Sequence, residues 1–236
     1  MIQYDGSVYA GWQVQLKQQT VQQKIADSIE IILKGKINLI GSGRTDAGVH
    51  ALGQVANFRT DQVINPGKFL FSLNSILPHD IAVLTLDQVN ENFHSRFDAK
   101  KRIYAYIISK YKSAFYYKYS YFYHNEIDCA KLNLLSQSLI GRRDFTSFSK
   151  TRSDTKNKIC EIFEVHWKET KGFVLFYISA DRYLHGMVRS IVGTLLYALK
   201  NDFDRSYIEN VIKEKRREAA AETVPARGLF LFKVKY

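Results

Sequence analysis

The stretch Gly41-Ser42-Gly43-Arg44-Thr45-Asp46-Ala47-Gly48-Val49-His50-Ala51 is the most informative part of this sequence. Three glycines surround a single arginine and a single aspartate. Glycine allows a positive φ and a close approach of the backbone to its neighbours, so a loop of this kind can hold the Asp46 carboxylate in a fixed position. Apolar runs at 37–40 and 54–58 flank the stretch. They predict a loop between two strands, a place where functional residues concentrate.

The composition narrows the class of protein. With 236 residues the chain can bury the core of one large domain or two small ones. It carries 34 Lys and Arg against 23 Asp and Glu, a net charge of +11, which favours a polyanionic partner such as nucleic acid. A solvated basic surface is the alternative. The aromatic content of 14% suits stacking on unpaired bases, although most rings are predicted to fill the core of a sheet.

Cysteine usage and hydropathy indicate the compartment. Cys129 and Cys160 are far apart and lack metal-ligand spacing, so free thiols in a reducing compartment are expected. The six histidines share no such spacing either, and no metal is expected. No apolar run approaches the roughly 20 residues that span a bilayer, and the N-terminus lacks the basic and apolar regions of an export signal. These features predict a cytoplasmic protein.

Periodicity and capping residues predict a mixed α+β fold with mostly antiparallel strands. Thr20 opens a capping-box pattern, Asn65-Pro66, Asp128 and Asp204 begin three further helices, and Gly141 is the expected C-terminal glycine of the helix that Asp128 begins. The predicted helices are 20–34, 65–77, 128–141, 184–200 and 204–217. The predicted strands are 81–89, 101–109, 119–123, 162–167, 173–180 and 229–236.

The glycine-rich loop resembles the signature of the TruA family of tRNA pseudouridine synthases, in which Gly-Arg-Thr-Asp-Ala-Gly-Val-His-Ala carries the catalytic aspartate. Other segments match the family in order along nearly the whole chain: 4–7, 11–15, 93–99, 102–106, 141–148, 184–189 and 225–229. The resemblance implies two similar α+β halves around an extended, mostly antiparallel sheet, with helices packed on it and a basic cleft between the halves. It places the aspartate loop in a half spanning 1–98 and gives 99–236 to a second half that completes the cleft.

The resemblance also implies a reaction. Such an enzyme isomerises uridine to pseudouridine at positions 38, 39 and 40 of the tRNA anticodon stem-loop, flips the target base out of its stack, uses no cofactor and works as a homodimer. Asp46 would be the catalytic carboxylate, which either attacks C1′ of the ribose or removes the 2′ proton. Both roles need an ionised carboxylate, and a nearby cation keeps a carboxylate ionised.

Two further residues acquire catalytic roles from the resemblance. Arg189 would be the cation beside Asp46; its alternative is a helix residue whose apolar stem packs while its charge reaches solvent. Tyr104 would stack on the uracil; its alternative is a tyrosine on a sheet face, which applies equally to Tyr106. Only the position within the motif distinguishes the two tyrosines. Tyr183 stands where many family members have phenylalanine.

Substrate contacts follow from the same comparison. Arg44 would enter the base stack beside the flipped nucleotide, and Leu229 would line the uracil pocket or else belong to the core of a strand. Gly43, Thr45 and His50 are also assigned to substrate binding. Basic clusters would contact the RNA backbone: Lys100, Arg102, Arg142, Arg143, Lys156 and Lys158, with Arg152 and the cluster at 213–217 as further candidates.

Two alternatives belong to other classes. A basic RNA-binding protein without catalysis explains the charge and the aromatic residues but not the intact Asp46 loop. A nucleotide hydrolase would use Gly41-Ser42-Gly43 as a phosphate-binding loop. Such a loop requires Gly-Lys followed by Ser or Thr, whereas this chain places Arg44-Thr45-Asp46 there, and an aspartate repels phosphate.

Overall fold

The computed structural model describes residues 1–151 and 155–236, and within them the chain forms five α-helices and eleven β-strands. The helices are α1 (Val21–Leu33), α2 (Pro66–Ile76), α3 (Cys129–Ser136), α4 (Met187–Lys200) and α5 (Arg205–Glu214). The strands are β1 (Ile2–Tyr4), β2 (Ile40–Gly41), β3 (His50–Gln54), β4 (Ala56–Asn57), β5 (Ile81–Val83), β6 (Lys101–Ser109), β7 (Tyr121–Phe122), β8 (Gly141–Asp144), β9 (Ile159–Thr170), β10 (Phe173–Ala180) and β11 (Leu229–Lys235).

Four helices begin at polar residues that the sequence identifies as caps, which confirms those predictions. Each cap side chain accepts a hydrogen bond from a backbone N–H of the first turn, which has no partner within the helix. The capping residues are Thr20 for α1, Asn65 for α2, Asp128 for α3 and Asp204 for α5. Gln23 is the last residue of the capping-box pattern that begins at Thr20, and its side chain donates a hydrogen bond to the Asp27 carboxylate.

The chain divides into two units. The first contains Met1–Lys100 together with Phe230–Tyr236. Its strands lie in the order β5, β1, β3, β11, with β1 antiparallel to both neighbours and β11 parallel to β3. Helices α1 and α2 contact each other. The apolar spacing of α1 buries one face, formed by Val21, Ile25, Ile29 and Leu33.

The second unit spans Lys101–Leu229. Strands β6, β10, β9 and β8 form an antiparallel sheet in that order, and β7 runs parallel to β6. Helices α3, α4 and α5 contact one another. Helix α4 is buried along most of its length, including Met187, Val188, Ile191, Val192, Leu195 and Leu196. Among the described residues no helix is long and apolar enough to cross a membrane.

Several predicted boundaries are wrong because the partner strand sets the length of an edge strand. The strand predicted over 81–89 ends at Val83, since its partner β1 is only three residues long. The strand predicted over 119–123 shrinks to Tyr121–Phe122, which pairs only with the last two residues of β6. The hairpin strand predicted to start at Ile162 begins earlier, at Ile159, because β8 pairs with its first residues.

Two predicted helix limits are also wrong, and a glycine with a positive φ lies at each of them. Gly186 has a φ of 74° and is the N-cap of α4, so the helix predicted from Leu184 begins at Met187. Gly141 also has a positive φ, 98°, but it opens β8 and does not end a helix. The preceding helix changes to a 3₁₀ turn over Gln137–Leu139 and ends there.

Both cysteines are free thiols, as predicted. Cys160 is fully buried on β9, and this burial raises the pKa of its thiol to about 12. Burial, together with the nearby Glu169 and Asp128 carboxylates, also raises the pKa of Cys129. The reactive thiolate is therefore scarce at both positions near neutral pH.

We therefore expect native protein treated with Ellman's reagent at pH 8 to leave Cys160 unmodified and to modify Cys129 slowly. Denaturation in guanidinium chloride exposes both thiols to rapid reaction. Absorbance of the released thiolate measures the two rates, and a Cys129→Ala variant separates them. Rapid modification of two thiols in the native protein would contradict the burial of Cys160.

Candidate active-site loop and its supports

The loop that carries Asp46 is fixed at its beginning by a buried polar pair. The Ser42 hydroxyl donates to Gln54 Oε1 at 2.6 Å, and Gln54 Nε2 donates to the Gly43 carbonyl at 3.0 Å. The Ser42 N–H donates to the carbonyl of Val55 at 2.7 Å. Ser42 and Gln54 are fully buried, where an unmade hydrogen bond is costly, so these bonds define the path of the chain into the loop.

A second segment, residues 9–12, lies along the other side of the loop and forms hydrogen bonds with it on both sides of Asp46. The Trp12 N–H donates to the Thr45 carbonyl at 3.1 Å, and the Gly48 N–H donates to the Tyr9 carbonyl at 3.3 Å. We call residues 9–12 the brace. Since it bonds before and after Asp46, the backbone of the aspartate has little freedom to move.

Gly11 permits this close approach. Its φ is 98°, and a Cβ at this position would lie 2.5 Å from the Thr45 carbonyl oxygen and 3.1 Å from the Asp46 carbonyl carbon. Any side chain would therefore combine an unfavourable backbone conformation with a clash against the Asp46 loop. Glycine at this position is a requirement of the loop geometry.

The brace is itself attached to the N-terminus of α1. The Val21 N–H donates to the Gly11 carbonyl at 3.2 Å, and the Gln22 N–H donates to the Trp12 carbonyl at 3.1 Å. These two N–H groups belong to the first turn of the helix and have no partner within it. The helix therefore positions the brace, and the brace positions the aspartate loop.

The Trp12 side chain fills the space below the loop. It is almost completely buried, and a Cβ on Gly41 would lie 2.5 Å from its indole ring. The Tyr4 ring lies 6.0 Å from the indole, and its hydroxyl is hydrogen-bonded to the Thr45 hydroxyl at 2.8 Å. Burial raises the pKa of Tyr4, so this phenol stays neutral near physiological pH.

The loop ends at His50, the first residue of β3. Gly48 has a φ of 75°, and the Val49 N–H closes a turn onto the Asp46 carbonyl at 3.2 Å. The His50 ring is buried and stacks on Phe230 with centroids 4.7 Å apart. Its Nδ1 accepts from the Gly6 N–H at 3.1 Å.

Asp46 and Arg44 differ in exposure. Asp46 is half-buried, whereas Arg44, two residues earlier, is exposed and donates from Nε to Gln13 Oε1 at 3.1 Å. The predicted site residues Gly43, Arg44, Thr45, Asp46 and His50 thus lie in one supported loop of the first unit. Arg44 and Asp46 are the two charged residues among them that are not buried.

The candidate tyrosines of the second unit have distinct surroundings. Tyr106 is fully buried and donates its hydroxyl to the Pro225 carbonyl at 2.8 Å, which gives it a structural role. Tyr104 is 7% exposed, and the Tyr183 ring meets it edge-on at 5.0 Å. The Tyr183 hydroxyl donates to the Ile178 carbonyl at 2.9 Å, a bond that a phenylalanine could not make. Tyr183 therefore orients the Tyr104 ring.

Arg189 and Leu229 belong to the same unit. Arg189 lies half-buried on α4, and its Nε donates to the Val224 carbonyl at 2.8 Å. A Cβ on Gly193, one turn further along α4, would lie 2.0 Å from the Glu222 carbonyl oxygen, so glycine lets the 222–224 segment rest on the helix. Leu229, the first residue of β11, is buried.

The basic residues assigned to the RNA backbone are not equivalent. Arg102 is buried and donates to the Asp181 carbonyl at 2.6 Å, so its side chain supports the sheet. Arg152 lies outside the described residues. The remaining members of the predicted set are exposed or half-buried: Lys100, Arg142, Arg143, Lys156 and Lys158.

Comparison with known proteins identifies the class. The sequence matches the tRNA pseudouridine synthase family over residues 1–98 and 135–236. It is 40% identical to tRNA pseudouridine synthase A of Clostridium acetobutylicum, 38% to that of Bacillus licheniformis and 36% to that of Bacillus subtilis, and each comparison covers 100% of this chain and 97% of the relative. The chain belongs to the tRNA pseudouridine synthase family. This result confirms the resemblance, the α+β fold class and the enzyme class, an isomerase.

Most residues that support the Asp46 loop could not have been identified from the sequence, because their residue types suggest no particular role. The clearest available signal is the pair of glycines outside the loop, Gly6 and Gly11, each of which would clash with the loop backbone if it carried a side chain. The buried polar pair Ser42 and Gln54 cannot be recognised in this way, since the two residues are twelve positions apart in the sequence and are of common types.

We expect Gly11→Ala to destabilise the protein by about 2 kcal/mol or more, because it adds both positive-φ strain and a clash with Thr45. It should also reduce activity beyond the loss of folded protein, because the clash displaces the Asp46 backbone. Denaturant unfolding and kcat measured on the folded fraction test the two effects.

Gly67→Ala is the matched control, because Gly67 lies in α2 with its nearest neighbouring atom 3.7 Å from the added Cβ. Alanine there should leave activity unchanged and stabilise the helix by about 0.4–1 kcal/mol. Equal behaviour of the two variants would contradict the role assigned to Gly11.

Proposed function

We propose that this protein isomerises uridine to pseudouridine at positions 38, 39 and 40 in the anticodon stem-loop of tRNA, with Asp46 as the catalytic carboxylate and without a cofactor. The observation that carries the proposal is the support of the Asp46 loop. The brace forms hydrogen bonds before and after the aspartate, and Gly11 fits against its backbone. A carboxylate that serves only as a surface charge has no need of such positioning.

The reaction breaks the N1–C1′ bond, turns the base and joins C5 to C1′. Asp46 either attacks C1′ or removes the 2′ proton, and in both cases it acts as an anion. In this proposal the Arg189 guanidinium keeps the carboxylate charged and oriented, because arginine remains protonated at any physiological pH. Its bond to the Val224 carbonyl limits the positions that the side chain can take.

Base recognition falls to three other residues. Tyr104 stacks on the uracil, which fits a ring already oriented by Tyr183. The target base has to leave its stack before it can react. Exposed Arg44 fills the space that the base leaves, and Leu229 provides an apolar wall of the uracil pocket. The enzyme acts in the cytoplasm as a homodimer, and one tRNA contacts both subunits.

The direct test compares the wild-type enzyme with Asp46→Asn on an unmodified tRNA transcript that has uridines in the anticodon arm. General acid–base or nucleophilic groups contribute about 10²- to 10⁴-fold, so the variant should lose at least 10²-fold in kcat while it still binds tRNA. Asp61→Asn, an exposed carboxylate in the same unit, is the matched control and should keep full activity. A wild-type enzyme that binds the tRNA without product would indicate a non-catalytic RNA-binding protein.

Phosphate contacts make a separate prediction. Neutralising exposed Arg142 as Arg142→Gln should weaken tRNA binding and reduce the slope of log Kd against log salt by about one. Lys36→Gln is the control, because Lys36 pairs with Glu30 and has no assigned role. Filter binding between 50 and 300 mM salt measures both slopes. A slope in Arg142→Gln equal to that of the wild type would remove Arg142 from the RNA-binding surface.

A further inference from the structure

The segment 110–124, which we call the tyrosine-rich segment, has a composition unlike the rest of the chain. It contains six tyrosines, two phenylalanines and three lysines among fifteen residues, and no aspartate or glutamate. It joins β6 to the region before α3. The segment lies outside the two stretches over which the chain matches the tRNA pseudouridine synthase family.

Most of its rings face solvent. Six of them are between 40% and 86% exposed: Tyr111, Phe115, Tyr116, Tyr117, Tyr119 and Phe122. Within the described part of the chain, eleven phenylalanine and tyrosine residues are exposed to this degree, so more than half of them lie in this one segment. Exposed aromatic residues scattered singly need no explanation, but a concentration of this kind marks an interaction surface.

The rings are held in place by local structure. The Ser113 hydroxyl accepts from the N–H groups of Phe115 and Tyr116, each at 3.2 Å, and closes a turn. The rings of Tyr111 and Tyr116 pack against Phe173 at 5.9 and 5.2 Å. Phe115 and Tyr117, which flank Tyr116, are the two most exposed rings of the segment.

The charges of the segment are basic. Lys112 and Lys118 are exposed, and Lys110 pairs with Glu169 at 2.5 Å. Lysines between exposed rings suit a ligand that presents flat apolar faces joined by negative charges. Unpaired nucleotides have this chemistry, because each base offers a face for stacking and each phosphate an anion. Paired bases do not, since their faces are covered by their neighbours in the duplex.

We propose that the tyrosine-rich segment binds unpaired nucleotides of the RNA substrate by stacking them on Phe115 and Tyr117. The identity of the RNA as tRNA rests on the proposed function. A second copy of this chain is a poorer occupant, because a symmetric contact between two such segments would bring their lysines together. An RNA strand neutralises those charges instead.

The test uses Phe115→Leu/Tyr117→Leu, which keeps apolar bulk but removes the aromatic faces. Phe71→Leu, at a comparably exposed ring of the first unit, is the matched control. Loss of stacking costs about 5- to 150-fold in affinity for each base, so the double variant should raise Kd for unmodified tRNA at least fivefold. KM should rise with Kd, and kcat at saturating tRNA should stay at the wild-type value. The Phe115→Trp/Tyr117→Trp variant should restore binding.

Three results would overturn the inference. One is an unchanged Kd in the leucine variant, and another is an equal loss in Phe71→Leu. The third is a loss of affinity accompanied by a change from dimer to monomer in sedimentation, which would make the segment a contact between copies.

A 12-nucleotide single-stranded RNA and the corresponding duplex provide a second readout, since only the single strand should lose affinity. The measured affinities for RNA test this inference independently of activity. A wild-type protein that forms no pseudouridine would refute only the proposed function.

Discussion

The backbone of Gly11 and Trp12 is the constraint on which the candidate site depends. On one side its carbonyls accept from the first N–H groups of α1, and on the other the Trp12 N–H donates to the Thr45 carbonyl. Peptide groups on both sides would otherwise lie buried without partners, so the arrangement is favoured by the same energetics that form the helix. The position of Asp46 is therefore a consequence of how α1 begins.

The second unit also contains a glycine at which two backbone segments come close together. Gly193 lets the segment 222–224 rest on α4, and that segment supplies the carbonyl of Val224 to the Arg189 side chain. In both units a glycine lacks the Cβ that would keep two backbones apart, and the candidate site residue is held by the segment that comes close. A substitution at either glycine would therefore displace the backbone that holds the candidate residue, although neither glycine has a reactive group.

The sequence predicts local features well and partner-dependent features poorly. Thr20, with Val21 and Ile25 at helical spacing, defines α1 because capping and burial act within a few residues. The ends of β5 and β7 depend on how many residues a distant strand offers, and no local pattern contains that information. The Asp46 loop is recognisable from its glycines, whereas its supports become evident only when residues far apart in sequence meet. Tyr104 and Tyr106 illustrate this limit. Both lie on β6, but only the structure shows that Tyr106 is fully buried and donates a hydrogen bond to the Pro225 carbonyl.

Native-state hydrogen exchange tests the central claim that α1, the brace and the Asp46 loop form one cooperative unit. The account predicts that the amides of Trp12 and Gly48 open with the same free energy as those of Ile25 and Ile29 in the core of α1, because their acceptors belong to the same network. Exchange of Trp12 and Gly48 at the rate of an unstructured loop, while α1 stays protected, would contradict it. The aspartate would then be positioned by some other part of the molecule.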